Sequence, residues 1–592
     1  MTRLLKYLKS IDYIFLAIAA GLVVLQVYLE LKIPDFTAEL TTLVTQNNAP
    51  DLLAKTLQNG GLMILCAFSS LVCSIICSFL ISSMASHLTM SIRDEIYKHI
   101  LSFSSAEIHR FHTSSLITRT TTDVVQLQNF TNMGVQMLIK APVMAIWGIC
   151  KISATKLSWT MATMISVIIL VVCVGIAVCI CLPRFKKIQK LTDELNARTS
   201  ENITGVRVIR AFNAEKFQDE KFAKVNKDIT LNNMVSSKTM SIIMPLINLI
   251  MNSLILAIYW IGVIIVNDIP ADSANIGEVI FQRATLFGHM ISFTSYAMQI
   301  IMAFMMLVMV FILLPRCIIS CKRINEVLDV KSDIQDGELQ DEDVKEEGKI
   351  CLKNVFFSFT GDDHYALKDI NLEVNKGETV AIIGPTGCGK TTLINLMMRY
   401  YDATLGEVKV DDHNVREYKL DDLRKRFSIA TQKAMLFKGT IKENIAFGKK
   451  DVDEEKLNKA MEIASCDFVS SLEKREDSEV AQGGSNFSGG QKQRLSIART
   501  LYKDSEIMVF DDTFSALDYK TDFQVRKKIH DNLKDKTVII VAQRIGTIKN
   551  ADKIVVMEEG KILATGKHEE LLNTCPAYKE IAMSQLSKEE LQ

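Results

Sequence analysis

The 592-residue chain is too long for one hydrophobic core, so two or three domains are expected. Its 68 lysines and arginines balance 68 aspartates and glutamates, which argues against a dedicated nucleic-acid-binding protein. Hydrophobic residues make up 48% of the chain and the mean hydropathy is positive, as is typical of membrane proteins. The cysteines lie mostly in apolar runs, so we interpret them as packing residues and predict no disulfide framework and no metal site from them.

The first half of the chain contains apolar segments long enough to cross a bilayer as helices. Six such spans are predicted near residues 12–32, 60–84, 133–153, 157–183, 240–266 and 284–315. The first segment, which follows basic residues, also resembles a signal peptide. Its apolar run is about 20 residues long, as a spanning helix requires, and no small-residue cleavage site closes it, so a first span is expected.

Charge predicts the orientation of the spans. Residues 85–132 and 184–238 are long, helically patterned and rich in lysine and arginine, which places them in the cytosol. The connections at residues 35–51 and 267–278 are acidic and poor in positive charge, so they are expected to face outward. Both termini are then cytosolic.

Two lysines lie in or at the edge of the third predicted span. A charge inside the membrane is costly and is often functional. Lys151 can extend from a helix end toward water. For Lys140 two alternatives remain, a substrate path on the one hand and a helix partner or lipid headgroups on the other.

The apolar pattern stops after residue 316, and the composition changes. Residues 331–348 form a strongly acidic, glycine-containing stretch that we interpret as a linker. It separates a predicted α-helical transmembrane domain at 1–330 from a predicted α/β domain at 349–592, in which short strands alternate with helices.

The apolar run TVAII leads directly into GPTGCGKTT and then into a helical pattern, which is the context of a phosphate-binding P-loop. Glycines let backbone N–H groups surround phosphate oxygens, and the following helix N-terminus adds partial positive charge. Lys390 is expected to reach the β- and γ-phosphates of ATP, and the Thr391 hydroxyl to bind Mg²⁺. The predicted nucleotide-binding residues of this loop are Gly384, Pro385, Thr386, Gly387, Cys388, Gly389, Lys390, Thr391 and Thr392.

A second apolar strand, IMVF, ends in Asp511 and Asp512. In one domain with a P-loop, the first of these acids is expected to hold Mg²⁺ through water. Between the two motifs, NFSGGQKQRLSIART opens another helix with a serine and paired glycines, a second anion-binding N-terminus. One chain cannot readily bring both helix N-termini to one γ-phosphate, so two such domains packed head to tail are expected. The predicted binding residues of this second motif are Ser488, Gly489, Gly490 and Gln491.

With these motifs, residues 349–585 resemble the nucleotide-binding domain of an ABC transporter, and FSGGQ resembles its signature sequence, differing only in its first residue, Phe487. The resemblance implies that Gln432 is the Q-loop glutamine, which touches the metal, and that Phe359 stacks on adenine. Ser515 to Asp518 resembles the D-loop, and Val541 to Ile548 resembles the switch region.

The first half resembles the membrane domain of ABC exporters more weakly. Residues 115–124 and 200–217 are similar to exporter loops that carry short coupling helices, although solvated charged helices are the alternative. Six spans followed by one ATPase domain is the order of an exporter half-transporter. This layout implies a multi-pass protein of the plasma membrane, with a cytoplasmic ATPase domain, and it suits a bacterial membrane.

Three residues depart from the family pattern. The family usually has glutamate where Asp512 stands and histidine where Gln543 stands, and Gln482 replaces an acid before the signature. Asp512 is one methylene shorter, and misplacement by about 1 Å can cost about 100-fold in rate. Gln543 cannot become a cation. The expected catalytic residues are therefore Gln432, Asp512 and Gln543, the last two forming a degenerate site, with Thr391, Gln432 and Asp511 on the metal.

The pattern leads us to expect a chain that binds ATP but hydrolyses it poorly at its own P-loop, and whose signature serves a second half-transporter. A homodimeric exporter with ordinary ATPase activity is one alternative, and a regulatory ATP-sensing subunit is another. A soluble ABC ATPase acting on nucleic acid or ribosomes is excluded by the apolar spans. The methionines and aromatic residues of the spans suit hydrophobic or amphiphilic drugs or lipids, and peptides remain open.

Overall fold

The structure, a computed structural model, describes residues 3–45, 52–111, 113–153, 156–269, 276–340, 344, 348–359, 361 and 364–585. The chain divides into two compact units. The first comprises Met1–Leu101 and His112–Val330, and the second comprises Ser102–Phe111 and Lys331–Gln592. That Ser102–Phe111 groups with the second unit was not predicted. The predicted outward-facing connections lie partly outside the described residues, at 46–51 and 270–275.

The N-terminal part of the chain is almost entirely helical. Its helices are α1 (Ser10–Thr45), α2 (Leu52–Leu101), α3 (Ser105–Phe111), α4 (Thr113–Thr120), α5 (Thr122–Asn129), α6 (Val135–Ser153), α7 (Leu157–Thr204), α8 (Val206–Ala211), α9 (Glu215–Asn267) and α10 (Ile276–Leu328). A short π-helical turn, Phe130–Gly134, joins α5 to α6.

In the described part of the chain, six helical stretches are long and apolar enough to cross a membrane. Each of the six predicted spans falls within one of them, so the predicted helical membrane domain is confirmed. The helices extend well beyond the apolar segments: α7 continues to Thr204 and α9 begins at Glu215, so the charged stretch between the fourth and fifth spans is mostly a continuation of the spanning helices.

The core of the first unit is apolar and includes aromatic pairs. Trp159 on α7 packs against Phe293 on α10, with ring centroids 5.4 Å apart. Helix α6 lies against α10 at Gly148, where an added Cβ would come within 2.8 Å of an Ile300 side-chain carbon. Close approach of this kind is how small residues let membrane helices pack tightly.

Polar pairs also join α1 to α6. Lys140 Nζ lies 2.9 Å from Glu30 Oε1, and Lys151 Nζ lies 2.7 Å from Asp35 Oδ2. Of the two alternatives for Lys140, the structure therefore has the helix partner. Lys151 is also paired with an acid, Asp35.

The second unit is an α/β domain. Its strands are β1 (Ile350–Phe357), β2 (Leu367–Val374), β3 (Thr379–Ile383), β4 (Leu405–Val410), β5 (His413–Asn414), β6 (Phe427–Ala430), β7 (Gly439–Thr440), β8 (Glu479–Val480), β9 (Ile507–Asp511), β10 (Thr537–Val541), β11 (Lys553–Glu558) and β12 (Lys561–Gly566). Its later helices are α11 (Lys390–Met397), α12 (Leu420–Lys425), α13 (Ile441–Ile445), α14 (Glu454–Ile463), α15 (Gly489–Lys503), α16 (Tyr519–Asn532), α17 (Ile545–Ile548), α18 (His568–Thr574) and α19 (Pro576–Gln585).

The central sheet has six strands in the order β12-β11-β3-β10-β9-β6. All neighbours are parallel except the edge pair β11 and β12. Strands β9 and β10 are buried along their full length, and β3 is buried except at its first residue. Continuous apolar strands of this kind are expected where helices cover both faces of a parallel sheet. The predicted α/β fold is confirmed.

The acidic stretch predicted as a linker lies partly outside the described residues, at 341–343 and 345–347. Its described beginning is held by backbone hydrogen bonds. Gly337 N donates to Tyr418 O and Leu339 N donates to Glu417 O, each over 2.9 Å. Residues 337–339 therefore pack against the α/β domain.

Candidate nucleotide-binding site

Four loops of the second unit meet because four adjacent strands end at one edge of the sheet. The P-loop follows β3, the switch residue Gln543 follows β10, Asp511 ends β9, and Gln432 follows β6. These strands are parallel neighbours in the order β3-β10-β9-β6. Ligands of open α/β sheets bind at the carboxyl ends of such strands, so the topology brings the predicted catalytic residues together.

The P-loop requires glycine at defined positions. Gly387 and Gly389 have φ angles of 85° and 102°, in the left-handed region where side chains are strained. A Cβ on Gly384 would lie 2.1 Å from Met557 O. The loop therefore approaches neighbouring backbone too closely for any larger residue at that position.

Lys390 begins helix α11 and is buried. Its Nζ donates to the carbonyl oxygens of Gly384 and Pro385, each at 2.8 Å, and lies 3.6 Å from Cys388 Sγ. An ammonium group turned onto its own loop, beside the N-terminus of a helix, is a ready binding group for phosphate. These residues fit a nucleotide phosphate chain.

Thr391 and Asp511 form the predicted metal-binding pair. Thr391 Oγ1 donates to Asp511 Oδ2 over 3.0 Å. Both donors are oxygens, as Mg²⁺ requires, so this pair fits the ion.

Asp511 is buried at the end of β9. Burial raises the pKa of its carboxyl above the usual range, and the hydrogen bond from Thr391 partly opposes that shift. A nearby divalent cation favours the charged carboxylate, so the site is electrostatically suited to take up a cation.

Asp512 contacts both of the other predicted catalytic residues. Its Oδ2 accepts from Gln432 Nε2 at 3.1 Å and from Gln543 Nε2 at 2.9 Å. Its backbone has a φ of 47°, unusual for a residue other than glycine, and its N–H donates to Val541 O over 3.0 Å. One carboxylate oxygen therefore joins the loops that follow β6, β9 and β10.

The signature residues open helix α15. Ser488 caps this helix: its Oγ accepts from Gln491 N at 3.3 Å, and Gln491 Oε1 accepts from Ser488 N at 2.9 Å. Within the part of the chain that the structure describes, no hydrogen bond links these residues to the P-loop. Gly489 and Gly490 follow the cap and leave the first turn without side chains.

Phe359 follows β1, and its ring is 60% exposed. It makes edge contacts with Phe357 and Tyr401 at centroid distances of 4.8 and 5.5 Å. The exposed ring suits stacking on a planar base. Residues 360, 362 and 363 lie outside the described residues.

Gln482 is exposed and precedes Gly483 and Gly484, whose φ angles are 66° and 64°. A Cβ on Gly484 would lie 2.9 Å from Leu436 Cδ1. The two glycines therefore allow a turn that a larger residue would strain.

Sequence reasoning missed several contacts. Gln493 Nε2 on the signature helix donates to Thr431 O, the residue before Gln432, over 3.1 Å. Thr513 Oγ1 donates to Ala430 O over 2.9 Å. Both donors are polar residues next to recognised motifs, which is a signal that they make hydrogen bonds. The sequence does not identify the acceptors, because they lie 62 and 83 residues away in the chain.

Comparison with known proteins identifies the family of this chain. Residues 16–304 match the family of ABC transporter transmembrane regions, and residues 367–515 match the ABC transporter family. The chain is 35% identical to an uncharacterized ABC transporter ATP-binding protein of Mycobacterium tuberculosis strain H37Rv, over 89% of this chain and 87% of that protein. It is 31% identical to the uncharacterized ABC transporter ATP-binding protein YfiB of Bacillus subtilis, over 93% and 95% of the two chains.

Two further likenesses are more distant. An ATP-dependent lipid A-core flippase of Mannheimia succiniciproducens is 28% identical over 89% of this chain and 88% of its own. The structure of a bacterial Atm1-family ABC exporter with ATP bound superposes with a TM-score of 0.79 at 22% identity, covering 97% of this chain and 98% of that one. The last likeness shows the fold alone.

The matches cover both the helical and the α/β parts of the chain. With its six candidate spans, it is a multi-pass protein of the plasma membrane with a cytoplasmic ATPase domain. The chain belongs to the ABC transporter family, as an exporter half-transporter in which a transmembrane domain is fused to an ATPase domain.

Proposed function

We propose that this chain is the ATP-binding subunit of an exporter that moves a hydrophobic or amphiphilic substrate out of the cell, with weak hydrolysis at its own P-loop. The observation that carries the proposal is the environment of Asp512. Its Oδ2 already accepts two amide hydrogen bonds, from Gln432 and Gln543.

A general base must reach the attacking water, directly or through one further water. The side chain of Asp512 is shorter than glutamate, and Asp512 is 8% exposed. A water must therefore displace an amide or approach the other oxygen. Gln543 can hold a phosphate oxygen by hydrogen bonding, but it cannot supply a positive charge to the transition state. Both features support slow hydrolysis.

ATP binding, unlike hydrolysis, depends mainly on the P-loop, and the P-loop motif of this chain is complete. Lys390 and the glycines of the P-loop would hold the phosphate chain, and the exposed Phe359 would stack on adenine. Thr391 and Asp511 would hold Mg²⁺ together with Gln432, and the bound ion would neutralise negative charge on the phosphates. The chain should therefore retain ATP.

The signature supports a partner. Ser488 and the first turn of α15 present an intact N-terminal anion site. In the proposed cycle, this site closes on the P-loop of a second half-transporter, whose own carboxylate hydrolyses ATP. Alternation between two packed arrangements of the helices then carries substrate across. The flippase relatives favour a lipid or another amphiphile as substrate.

The test is ATP turnover by the full chain in lipid, alone and mixed with a candidate second half-transporter. We expect almost no ATP turnover by the chain alone and clear turnover by the mixture. Turnover by the chain alone on the order of 1 per second or more, a usual enzyme rate, supports an ordinary homodimer instead. An active mixture in which alterations confined to this chain's spans leave transport unchanged supports a regulatory, ATP-sensing subunit.

A further inference from the structure

A cavity of about 410 Å³ lies within the first unit, between α4, α5, α7, α9 and α10. Its volume is in the range of about 300–1,000 Å³ that is usual for small-molecule sites. The wall includes Val178, Leu182, Met240 and Phe311, so most of its surface is apolar. No residue of this cavity belongs to the nucleotide site.

Three basic side chains line the same cavity: Lys186, Arg316 and Arg323. Val178 and Leu182 lie inside the fourth predicted span, whereas Lys186 lies just beyond its end. Arg316 likewise follows the last residue of the sixth predicted span. The cavity therefore has an apolar part at the depth of the inner membrane leaflet and a basic part at the level of the headgroups.

The described part of the chain supplies no acidic partner for these cations. Among the residues that the structure describes, Lys186, Arg316 and Arg323 form no ion pair, and Arg316 lies over the Phe185 ring, 5.9 Å from its centroid. The nearby Arg119, in contrast, pairs with Glu326 at 3.0 Å. Unpaired cations around an apolar cavity attract an anionic group.

A buried acid provides an independent sign of a ligand. Asp123 on α5 is 5% exposed and lines the cavity. Its Oδ1 accepts from Ser320 Oγ at 2.8 Å, whereas its buried Oδ2 has no hydrogen-bond partner in the described part of the chain. A buried carboxylate oxygen without a donor is costly unless a ligand or water supplies one.

We propose that this cavity binds an acidic amphiphile whose head group also carries a hydrogen-bond donor. The apolar body lies against α7 and α10, the anionic group against Lys186, Arg316 and Arg323, and an ammonium or hydroxyl against Asp123. The assignment of this ligand as the exported substrate rests on the proposed export function, whereas its binding does not.

Basic residues at cytosolic helix ends also follow from the general distribution of charge in membrane proteins. That distribution places lysines and arginines on any face of the helices. It does not account for an acid of the opposite sign with an unpartnered oxygen in the same cavity. The experiment therefore has to separate cavity residues from neighbouring cations.

The test is equilibrium binding to the full chain in phosphatidylcholine nanodiscs without nucleotide. Energy transfer from the 3 tryptophans to pyrene-labelled probes reports occupancy. Three probes are compared. Pyrene-labelled phosphatidylserine is a bilayer lipid that carries an ammonium, and pyrene-dodecanoate is a single-chain acid. The third probe, a pyrene-labelled alkyl trimethylammonium, is cationic. The acidic probes should bind about tenfold or more tightly than the cationic one, because only the acidic probes can accept charge-assisted hydrogen bonds from the basic residues of the cavity.

The triple variant Lys186→Gln, Arg316→Gln, Arg323→Gln should weaken both acidic probes by about tenfold or more. Its matched control is Lys187→Gln, Lys190→Gln, Lys322→Gln, three exposed lysines on the same two helices that do not line the cavity. The control should bind as the unaltered chain does. A second variant that keeps the charges, Arg316→Lys with Arg323→Lys, should retain binding and so separates lost recognition from misfolding.

Asp123→Asn tests the donor. It should weaken the phosphatidylserine probe, which carries an ammonium, and leave pyrene-dodecanoate unchanged or tighter. Binding of the lipid probe alone identifies a membrane lipid as the source and supports the proposal. Binding of dodecanoate alone would overturn the proposal, because this acid has no donor for Asp123. Equal affinity for the cationic probe, or equal losses in the cavity and control triples, would overturn the proposal. These readouts need no hydrolysis, so a failed export function leaves them interpretable.

Discussion

Gln543 Nε2 donates to Asp512 Oδ2 over 2.9 Å, joining the second residue after β10 to the residue after β9. Gln432 donates to the same oxygen at 3.1 Å. Asp512, the predicted catalytic acid, is thus held by two neutral amides. This arrangement gives the proposed weak hydrolysis a structural basis.

Substitution of the signature serine tests the proposed service to a partner. Ser488→Ala removes the helix cap of α15 and should destabilise the ATPase domain by about 1 kcal/mol. It should also lower turnover by the mixture with the second half-transporter by about 100-fold, as loss of a donor to a transition-state oxyanion does. ATP binding to this chain's own P-loop should be unchanged. Stopped-flow or steady-state turnover and nucleotide binding together measure both effects.

The control for that variant is Asp453→Ala, which removes the cap of α14 in the same domain. The side chain of Asp453 accepts from Glu455 N and Lys456 N, so the cost in stability should be similar. Its effect on turnover should be small. If both variants slow the mixture equally, the signature effect is one of stability and the assigned role is wrong.

Asp511→Asn tests the metal-binding pair. An asparagine can still accept from Thr391, so the local fold should persist, but the negative charge that attracts Mg²⁺ is lost. We expect the Mg²⁺-dependent gain in ATP affinity to disappear while metal-free ATP binding stays. Titration of a fluorescent ATP analogue with and without Mg²⁺ measures this difference. A variant that keeps the full Mg²⁺ dependence would place the ion elsewhere.

The ion pair between Lys140 and Glu30 should stabilise the membrane unit. Their side chains are 15% and 27% exposed, so Lys140→Met leaves a mostly buried carboxylate without its cation. We expect a loss of about 1–3 kcal/mol, measured by unfolding in detergent. The double variant Lys140→Met, Glu30→Gln should recover most of that loss, because no charge remains unpaired.

The exposed pair of Lys98 and Asp94 on α2 is the control for the buried one. Lys98→Met should leave the melting temperature unchanged, since exposed ion pairs contribute little. If the double variant at Lys140 and Glu30 is as unstable as the single one, the pair acts through packing of the lysine stem rather than through charge.

The P-loop and the strand that ends in Asp511 could be predicted because their sequence patterns are local. An apolar strand followed by glycines, or by Asp511, predicts both the strand and the loop after it. Parallel strands end at one edge, so the P-loop and Asp511 were expected to meet. The structure places them 3.0 Å apart at the oxygens of Thr391 and Asp511. Their roles in binding ATP and Mg²⁺ stay predictions.

The contacts between distant segments could not be read from the sequence. Gln432 and Asp512 are 80 residues apart, and their hydrogen bond depends on β6 and β9 being neighbours in the sheet. Lys140 and Glu30 are 110 residues apart on different helices. Residues of both signs were visible in the apolar segments, but which helix faces which is decided by packing across the whole unit.

The most direct measurement is ATP turnover by the full chain alone in lipid, before and after Asp512→Glu combined with Gln543→His. Asp531→Glu, at an exposed acid of α16, is the matched control. Because the P-loop and signature are otherwise complete, the double variant should raise turnover by about 100-fold, the cost of a misplaced catalytic group, and the control should change nothing. Two results would contradict a degenerate site at Asp512. One is an unaltered chain that already turns over about 1 ATP per second, and the other is a double variant that turns over ATP no faster than the unaltered chain.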